Sequence, residues 1–210
     1  MTVFSDLVAG YARFREHGWA IERERWATLA EGQAPKVMVI ACSDSRTDPA
    51  TVFDTSPGEI FVVRNVANLV PPFEVGGGRH GVSAALEFAV TQLKVQEIVV
   101  MGHGMCGGVH AALTNRFVEA EPGEGGFIAH WIDLLNDARD RVAKDHGTGD
   151  AAARALELET VRVCLANLRT FPFVQEAEAT GRLTLHGAWF AIREGVLWVM
   201  DETGQFSPAS

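Results

Sequence analysis

Residues 36–46 read Lys-Val-Met-Val-Ile-Ala-Cys-Ser-Asp-Ser-Arg, an apolar run that leads directly into polar and sulfur-bearing side chains. Similar apolar runs follow at 60–64 and 97–101, and a helical pattern at 82–93 lies between these two. Strands that are apolar at every position are typical of parallel sheets whose two faces are both covered. The order of elements therefore predicts an α/β fold with a mostly parallel sheet flanked by helices.

The chain beyond these runs is predicted to extend the same architecture. Helical patterns occur at 128–142 and 151–168, and the last two apolar runs, at 183–189 and 195–200, predict a hairpin at the edge of the sheet. A helical pattern at 5–30 predicts an N-terminal arm, residues 1–34, whose aromatic side chains indicate docking against another surface, such as a second subunit. We expect a single domain over 1–210 that includes this arm.

Composition limits the partners of this protein. The 210 residues are 47% hydrophobic and carry a formal net charge of -9. A negative charge of this size disfavours nucleic acid and anionic membrane surfaces as partners. No secretory leader and no apolar run long enough to cross a bilayer is evident. Three cysteines are a small and odd number, which argues against a disulfide framework. We therefore expect a cytoplasmic protein.

Two predicted strands end in residues that could hold a metal. The first ends at Cys42, and the third leads into His103 and Cys106. Binding sites of open α/β sheets collect at the carboxyl ends of parallel strands, so neighbouring strands would bring these three together. Two thiolates and one imidazole suit Zn²⁺, and three protein ligands leave a fourth position open, as in catalytic sites.

Asp44 and Arg46 follow Cys42 at intervals of two. In an extended stretch the three side chains would share one side, so that Asp44 could accept a hydrogen bond from a zinc-bound water. Arg46 would pair with Asp44 and prevent its carboxylate from taking the open metal position. Gly107 begins the next predicted helix, and its amide could stabilise a developing negative charge.

Each part of this pattern also has an ordinary interpretation. A lone His-x-x-Cys is weak evidence for a metal, and a buried cysteine such as Cys164 is more often part of a core. An Asp-x-Arg pair is commonly a surface ion pair. All parts together, each at a strand end, favour the metal site.

The longer motifs resemble those of the β-class carbonic anhydrases, from about Gly32 to Ala112. The matching segments are Cys42-Ser43-Asp44-Ser45-Arg46, Pro57-Gly58-Glu59, Arg64-Asn65-Val66-Ala67-Asn68 and Gly102-His103-Gly104-Met105-Cys106-Gly107-Gly108. The resemblance implies zinc on the Cys–His–Cys set, with Asp44 and Arg46 as catalytic residues. It further implies a carbon dioxide pocket lined by Gln33, Phe61 and Val66.

The resemblance also implies assembly. The family completes this pocket across a dimer interface, so Gln33 is expected to serve the zinc of a neighbouring subunit, in a homodimer or a larger assembly such as a tetramer. Two departures stand out. Phe88 replaces a tyrosine common in plant-type relatives. Val39 replaces the tryptophan of an inhibitory bicarbonate pocket found in some bacterial members, and the only tyrosine is Tyr11, so we expect no such pocket.

The predicted function is reversible hydration of carbon dioxide to bicarbonate by zinc-bound hydroxide. Because two thiolates cancel the charge of the metal, activity should rise with pH through a value above neutral. Two alternatives remain: hydrolysis of carbon disulfide or carbonyl sulfide at the same metal, and a zinc-stabilised scaffold without catalysis. The sequence singles out no proton shuttle among its seven histidines.

Overall fold

The computed structural model describes residues 2–76 and 80–209 and divides into two compact units, Met1–Ala34 and Pro35–Ser210. The first unit is the predicted helical arm. It consists of α1, Phe4–Arg13, which continues through a wider π-helical turn, Phe14–Trp19, and of α2, Arg23–Ala30. The helix predicted over 5–30 is therefore interrupted before α2. The single domain predicted over 1–210 remains a prediction.

The second unit contains one six-stranded sheet in the order β2-β1-β3-β4-β5-β6. The first four strands in this order are mutually parallel, whereas β5 and β6 are antiparallel to their neighbours. The strands are β1, Val37–Cys42; β2, Ile60–Asn65; β3, Glu97–His103; β4, Thr184–Ala191; β5, Val196–Met200; and β6, Phe206–Pro208. This confirms the predicted fold class and the hairpin formed by the last two apolar runs.

Helices cover the sheet, and two short 3₁₀ turns, Val66–Asn68 and Asp133–Leu135, connect other elements. The helices are α3, Pro49–Val52; α4, Gly81–Glu87, continued by a π-helical turn over Phe88–Leu93; α5, Gly107–Leu113; α6, Gly126–Ile132; α7, Asn136–His146; α8, Asp150–Leu168; and α9, Pro172–Ala179. No helix of the described residues is long and apolar enough to cross a membrane.

Two details differ from the expectation, the helix over 128–142 and the last strand. The helix predicted over 128–142 is two helices, α6 and α7, separated by a 3₁₀ turn. Helix α9 begins at a proline, which fits the first turn of a helix because its missing N–H has no partner there anyway. The outermost strand, β6, was not predicted, because its three residues, with a single aromatic side chain, give no periodicity to detect.

The long helix α8 packs unusually close to the middle of the sheet. A Cβ atom on Gly102 of β3 would lie 3.0 Å from a methyl group of Val161, and one on Gly187 of β4 would lie 2.9 Å from another. Such distances favour glycine at both positions, because an added methyl group would have to displace the Val161 side chain. The close contact brings the amino-terminal half of α8, including Glu157, beneath the loop that follows β3.

Candidate metal centre

The sheet brings Cys42, His103 and Cys106 together. Cys42 ends β1 and His103 ends β3, and these two strands are direct neighbours; Cys106 lies just before α5. The three ligand atoms all lie within 4.8 Å of one another, and all three residues are buried. Side chains that are distant along the chain thus meet because parallel strands end at one edge.

The donor atoms fit a zinc ion. The Nδ1–H of His103 donates to the carbonyl of Gly104 at 2.9 Å, which fixes the tautomer and leaves the lone pair of Nε2 free. That buried Nε2 atom has no hydrogen-bond partner among the described residues. The Sγ atoms of Cys42 and Cys106 lie 3.9 Å apart. Two thiolates at about 2.3 Å from a tetrahedral zinc ion would lie about 3.8 Å apart.

The two thiols differ in acidity without the metal. A hydrogen bond with Cys106, assisted by His103, lowers the pKa of Cys42, despite burial. The same hydrogen bond, together with burial, raises the pKa of Cys106. Both cysteines must be deprotonated to bind a metal, so binding is coupled to the release of protons.

Asp44 and Arg46 form a bidentate ion pair beside these ligands. The Nη2 and Nε atoms of Arg46 donate to the Asp44 carboxylate at 2.6 Å and 2.9 Å. This pair holds the pKa of Asp44 well below its usual range. The Oδ2 atom of Asp44 lies 3.9 Å from Nε2 of His103, so the carboxylate faces the metal centre.

The geometry that forms this pair differs from the expectation. The chain is not extended over Asp44 to Arg46: it turns, and the backbone N–H of Arg46 donates to the Asp44 carboxylate at 3.0 Å. A short side chain that accepts a hydrogen bond two residues along the backbone stabilises such a turn. The two side chains therefore meet because the loop folds back, and not because of strand alternation.

Arg64 supports the same loop and was not singled out as a site residue. From β2, its guanidinium donates to the carbonyl of Cys42 at 2.9 Å and to that of Asp44 at 2.6 Å. It also pairs with Asp48 at 3.0 Å. Pairing of the first two strands, which the sequence analysis did not predict, places Arg64 opposite Ala41 and close to this loop.

Comparison with known proteins gives the family. The profile of the family described as "Carbonic anhydrase" matches residues 37–197. Beta carbonic anhydrase 3 of Arabidopsis thaliana is 35% identical over 201 residues, which are 93% of this chain and 76% of the relative. The chain belongs to the β-carbonic anhydrase family.

Solved structures of β-carbonic anhydrases share the fold. The β-carbonic anhydrase CcaA has a TM-score of 0.90 and 30% identity, covering 98% of this chain and 92% of its own. Two tetrameric β-carbonic anhydrases were solved from Sordaria macrospora; the matching structure has a TM-score of 0.82 and 28% identity, and 99% of this chain and 98% of that one are covered. The predicted family, lyase activity and zinc cofactor are thereby confirmed.

The predicted pocket residues of this β-carbonic anhydrase are not all near its metal centre. Val66 lies near it, because its side chain approaches Gly108, two residues after Cys106. Phe61 does not, since it pairs with Met38, four residues before Cys42 and therefore about 13 Å away along the strand.

The structure also shows where the other residues named in the sequence analysis lie. Gln33 is exposed between α2 and β1, and Gly107 is the first residue of α5. Phe88 packs against Phe61 with ring centres 6.0 Å apart and ring planes tilted by 34°. Cys164 is fully buried in α8, as expected of a core residue, and burial raises its pKa to about 12.

A cavity of about 580 Å³ opens on the side of Cys106 that faces α8. Its lining includes Cys106, Gly107, Glu157, Trp189 and Arg193. Glu157 is only 5% exposed, and the sequence analysis missed it. A single acidic residue in an otherwise ordinary helical pattern gives no signal that it is turned inward.

Proposed function

We propose that this chain hydrates carbon dioxide reversibly at the strand-end site, with Cys42, His103 and Cys106 as the zinc ligands. The observation that carries the proposal is the buried Nε2 atom of His103, which lies within 4.8 Å of two cysteine sulfurs and has no hydrogen-bond partner among the described residues. A bound zinc ion supplies Lewis-acid activation of water at such a site.

Asp44 and Arg46 are proposed to orient the reacting water. The Asp44 carboxylate remains ionised at neutral pH and can accept a hydrogen bond from that water. Because Arg46 occupies both carboxylate oxygens, Asp44 is restrained from binding the metal itself. Gly107 is proposed to donate its backbone N–H to a product oxygen, and Val66 to form an apolar wall of the carbon dioxide pocket.

The pocket is proposed to be completed by a second copy of the chain. Phe61 lies too far from its own metal ligands to contact a substrate there, so a role in carbon dioxide binding requires a neighbouring subunit. Gln33 is assigned to the same neighbouring site by family resemblance. A homodimer or a tetramer would satisfy this, and tetrameric relatives from Sordaria macrospora provide a precedent.

We also propose a cytoplasmic location. All three cysteines are buried free thiols, and two of them form the metal site, which suits a reducing compartment. Fractionation of cells that express the tagged full chain tests this location.

Stopped-flow measurement of carbon dioxide hydration, with zinc content determined on the same samples, tests the proposed activity. Wild type should contain about one zinc per chain and produce bicarbonate, whereas Cys106→Ala should lose both. Cys164→Ala is the matched control, because this buried cysteine lies outside the metal centre, and it should keep both.

Other outcomes would change the assignment. A zinc-loaded wild type that turns over carbon disulfide but not carbon dioxide would indicate the sulfur substrate. A protein that unfolds on chelation and shows no activity before it would be a zinc-stabilised scaffold.

A further inference from the structure

The peptide bond between Met105 and Cys106 is held from both sides. Its carbonyl, on Met105, accepts from Nη2 of Arg46 at 3.1 Å, and its N–H, on Cys106, donates to Oε1 of Glu157 at 3.0 Å. Met105 has a positive φ of 57°, a conformation that non-glycine residues rarely adopt. Two side chains therefore fix a strained backbone unit that carries the metal ligand Cys106.

Glu157 is unusual because a buried carboxyl group accepts the hydrogen bond from the Cys106 N–H. Its second oxygen, Oε2, accepts from the Nε1–H of Trp189 at 3.2 Å. No cation pairs with it among the residues that the structure describes. Burial raises the pKa of this carboxyl group, although the two N–H donors oppose the shift. A buried carboxylate with only N–H partners costs stability that an apolar side chain would not.

The hydrogen bonds form one continuous chain across the metal centre. It runs from Trp189 through Glu157 to the Met105–Cys106 peptide, and from that peptide through Arg46 to Asp44. The orientation of one peptide therefore affects a thiolate ligand at one end and the Asp44 carboxylate at the other.

We propose that Glu157 is a positioning residue for the metal centre, which fixes the Met105–Cys106 peptide and, through it, both Cys106 and the Arg46–Asp44 pair. This inference rests on the proposed zinc site. It assigns to α8 a function beyond packing, and it explains why Gly102 and Gly187 let this helix approach the sheet so closely. Residues that orient a metal ligand typically change affinity or activity about 10- to 100-fold when replaced.

The variant Glu157→Gln tests the proposal because it keeps the size of the side chain and changes its hydrogen-bonding capacity. A glutamine has one acceptor oxygen and one NH₂ group, so its NH₂ group must face one of the two N–H donors. We expect zinc affinity, measured by chelator competition, to fall roughly 10- to 100-fold. The visible absorption of the Co²⁺-substituted protein, which reports ligand geometry, should change as well.

A second substitution provides a rescue. Trp189→Phe removes the indole donor that competes with the Cys106 N–H for the single acceptor oxygen of the introduced glutamine. The double variant Glu157→Gln/Trp189→Phe should therefore bind zinc more tightly than Glu157→Gln alone. Trp189→Phe by itself should keep the affinity of wild type within a few-fold, because Glu157 still accepts from Cys106. If the glutamine variant does not fold, Glu157→Asp, which keeps the charge but shortens the reach, should show the same loss of affinity.

The result that overturns the proposal is a Glu157→Gln protein with a lower melting temperature but unchanged zinc affinity and Co²⁺ spectrum. Glu157 would then act only in packing. A failure of the proposed activity can be distinguished from a failure of this proposal. A wild type that binds zinc and makes no bicarbonate would refute the activity. The zinc affinities of the Glu157 variants would still test the positioning role.

Discussion

The parallel and antiparallel parts of the sheet differ in both burial and chemistry. Strand β1 is buried at five of its six residues, whereas β5 has none that is fully buried. All three proposed metal ligands lie at or just beyond the ends of β1 and β3, and none lies on β5 or β6. Parallel strands need helices on both faces, and the loops between strand and helix then collect at one edge.

A pair of aspartates makes this difference testable. Asp44 follows β1 and faces the metal centre, while Asp201 follows β5 and accepts hydrogen bonds from Thr203 and Gln205 within its turn. Both carboxyl groups have lowered pKa values, Asp44 through Arg46 and Asp201 through Thr203. The same chemical group is thus proposed to serve catalysis in one part of the sheet, and it stabilises a turn in the other.

The largest effect is expected for Asp44→Asn. Loss of the carboxylate that orients the reacting water should reduce carbon dioxide hydration roughly 10- to 100-fold, with zinc content unchanged. Stopped-flow kinetics and metal analysis on the same sample measure both. Asp201→Asn is the matched control and should keep the wild-type rate; equal rates in all three proteins would contradict the assigned role of Asp44.

A smaller effect on stability is expected at β4, the strand that joins the two parts of the sheet. A methyl group at Gly187 would meet Val161 of α8 and the Cβ atom of Met200 of β5, so Gly187→Ala should cost about 1–3 kcal/mol of unfolding free energy. Urea unfolding measures this. Gly81→Ala, where the added methyl would meet none of the described residues within 4 Å, should be neutral or slightly stabilising.

The pH dependence of carbon dioxide hydration provides a further test of the role of Asp44. We expect hydration to rise between about pH 6 and 9, because a donor set with two thiolates makes water at the site less acidic than a three-histidine set does. Asp44 is not the cause: its lowered pKa keeps it ionised throughout this range. In Asp44→Asn the rise should persist but shift to lower pH, since a nearby negative charge has been removed. A flat wild-type profile would contradict this.

The smallest effect is expected for the stability of Asp201→Asn. A lowered pKa in the folded state means that ionised Asp201 stabilises the fold above its unfolded pKa of about 3.9, and that this contribution disappears as pH falls through the folded value. The difference in unfolding midpoint between wild type and variant should thus be constant from about pH 7 to 5 and shrink below about pH 4. A difference that grows on acidification would show another cause.

Much of the site could be predicted because its residues follow recognisable strands. The apolar runs before Cys42 and His103 marked two strand ends, and the order of strands and helices made neighbouring parallel strands the natural arrangement. The Asp44–Arg46 pair was also predicted, but for the wrong reason, since a turn stabilised by Asp44 itself brings the two together. Local backbone geometry of this kind depends on hydrogen bonds that a pattern of apolar residues does not encode.

The sequence by itself determined the fold class, the family motifs and the three candidate zinc ligands, because all of these depend on local runs of residue types. Only the tertiary structure decided that Glu157 and Arg64 form hydrogen bonds with the backbone of the proposed ligands Cys106 and Cys42. It also decided that Phe61 lies far from the ligands of its own chain. These facts depend on how α8 and β2 pack against the sheet, and packing between distant segments leaves no periodic trace along the chain.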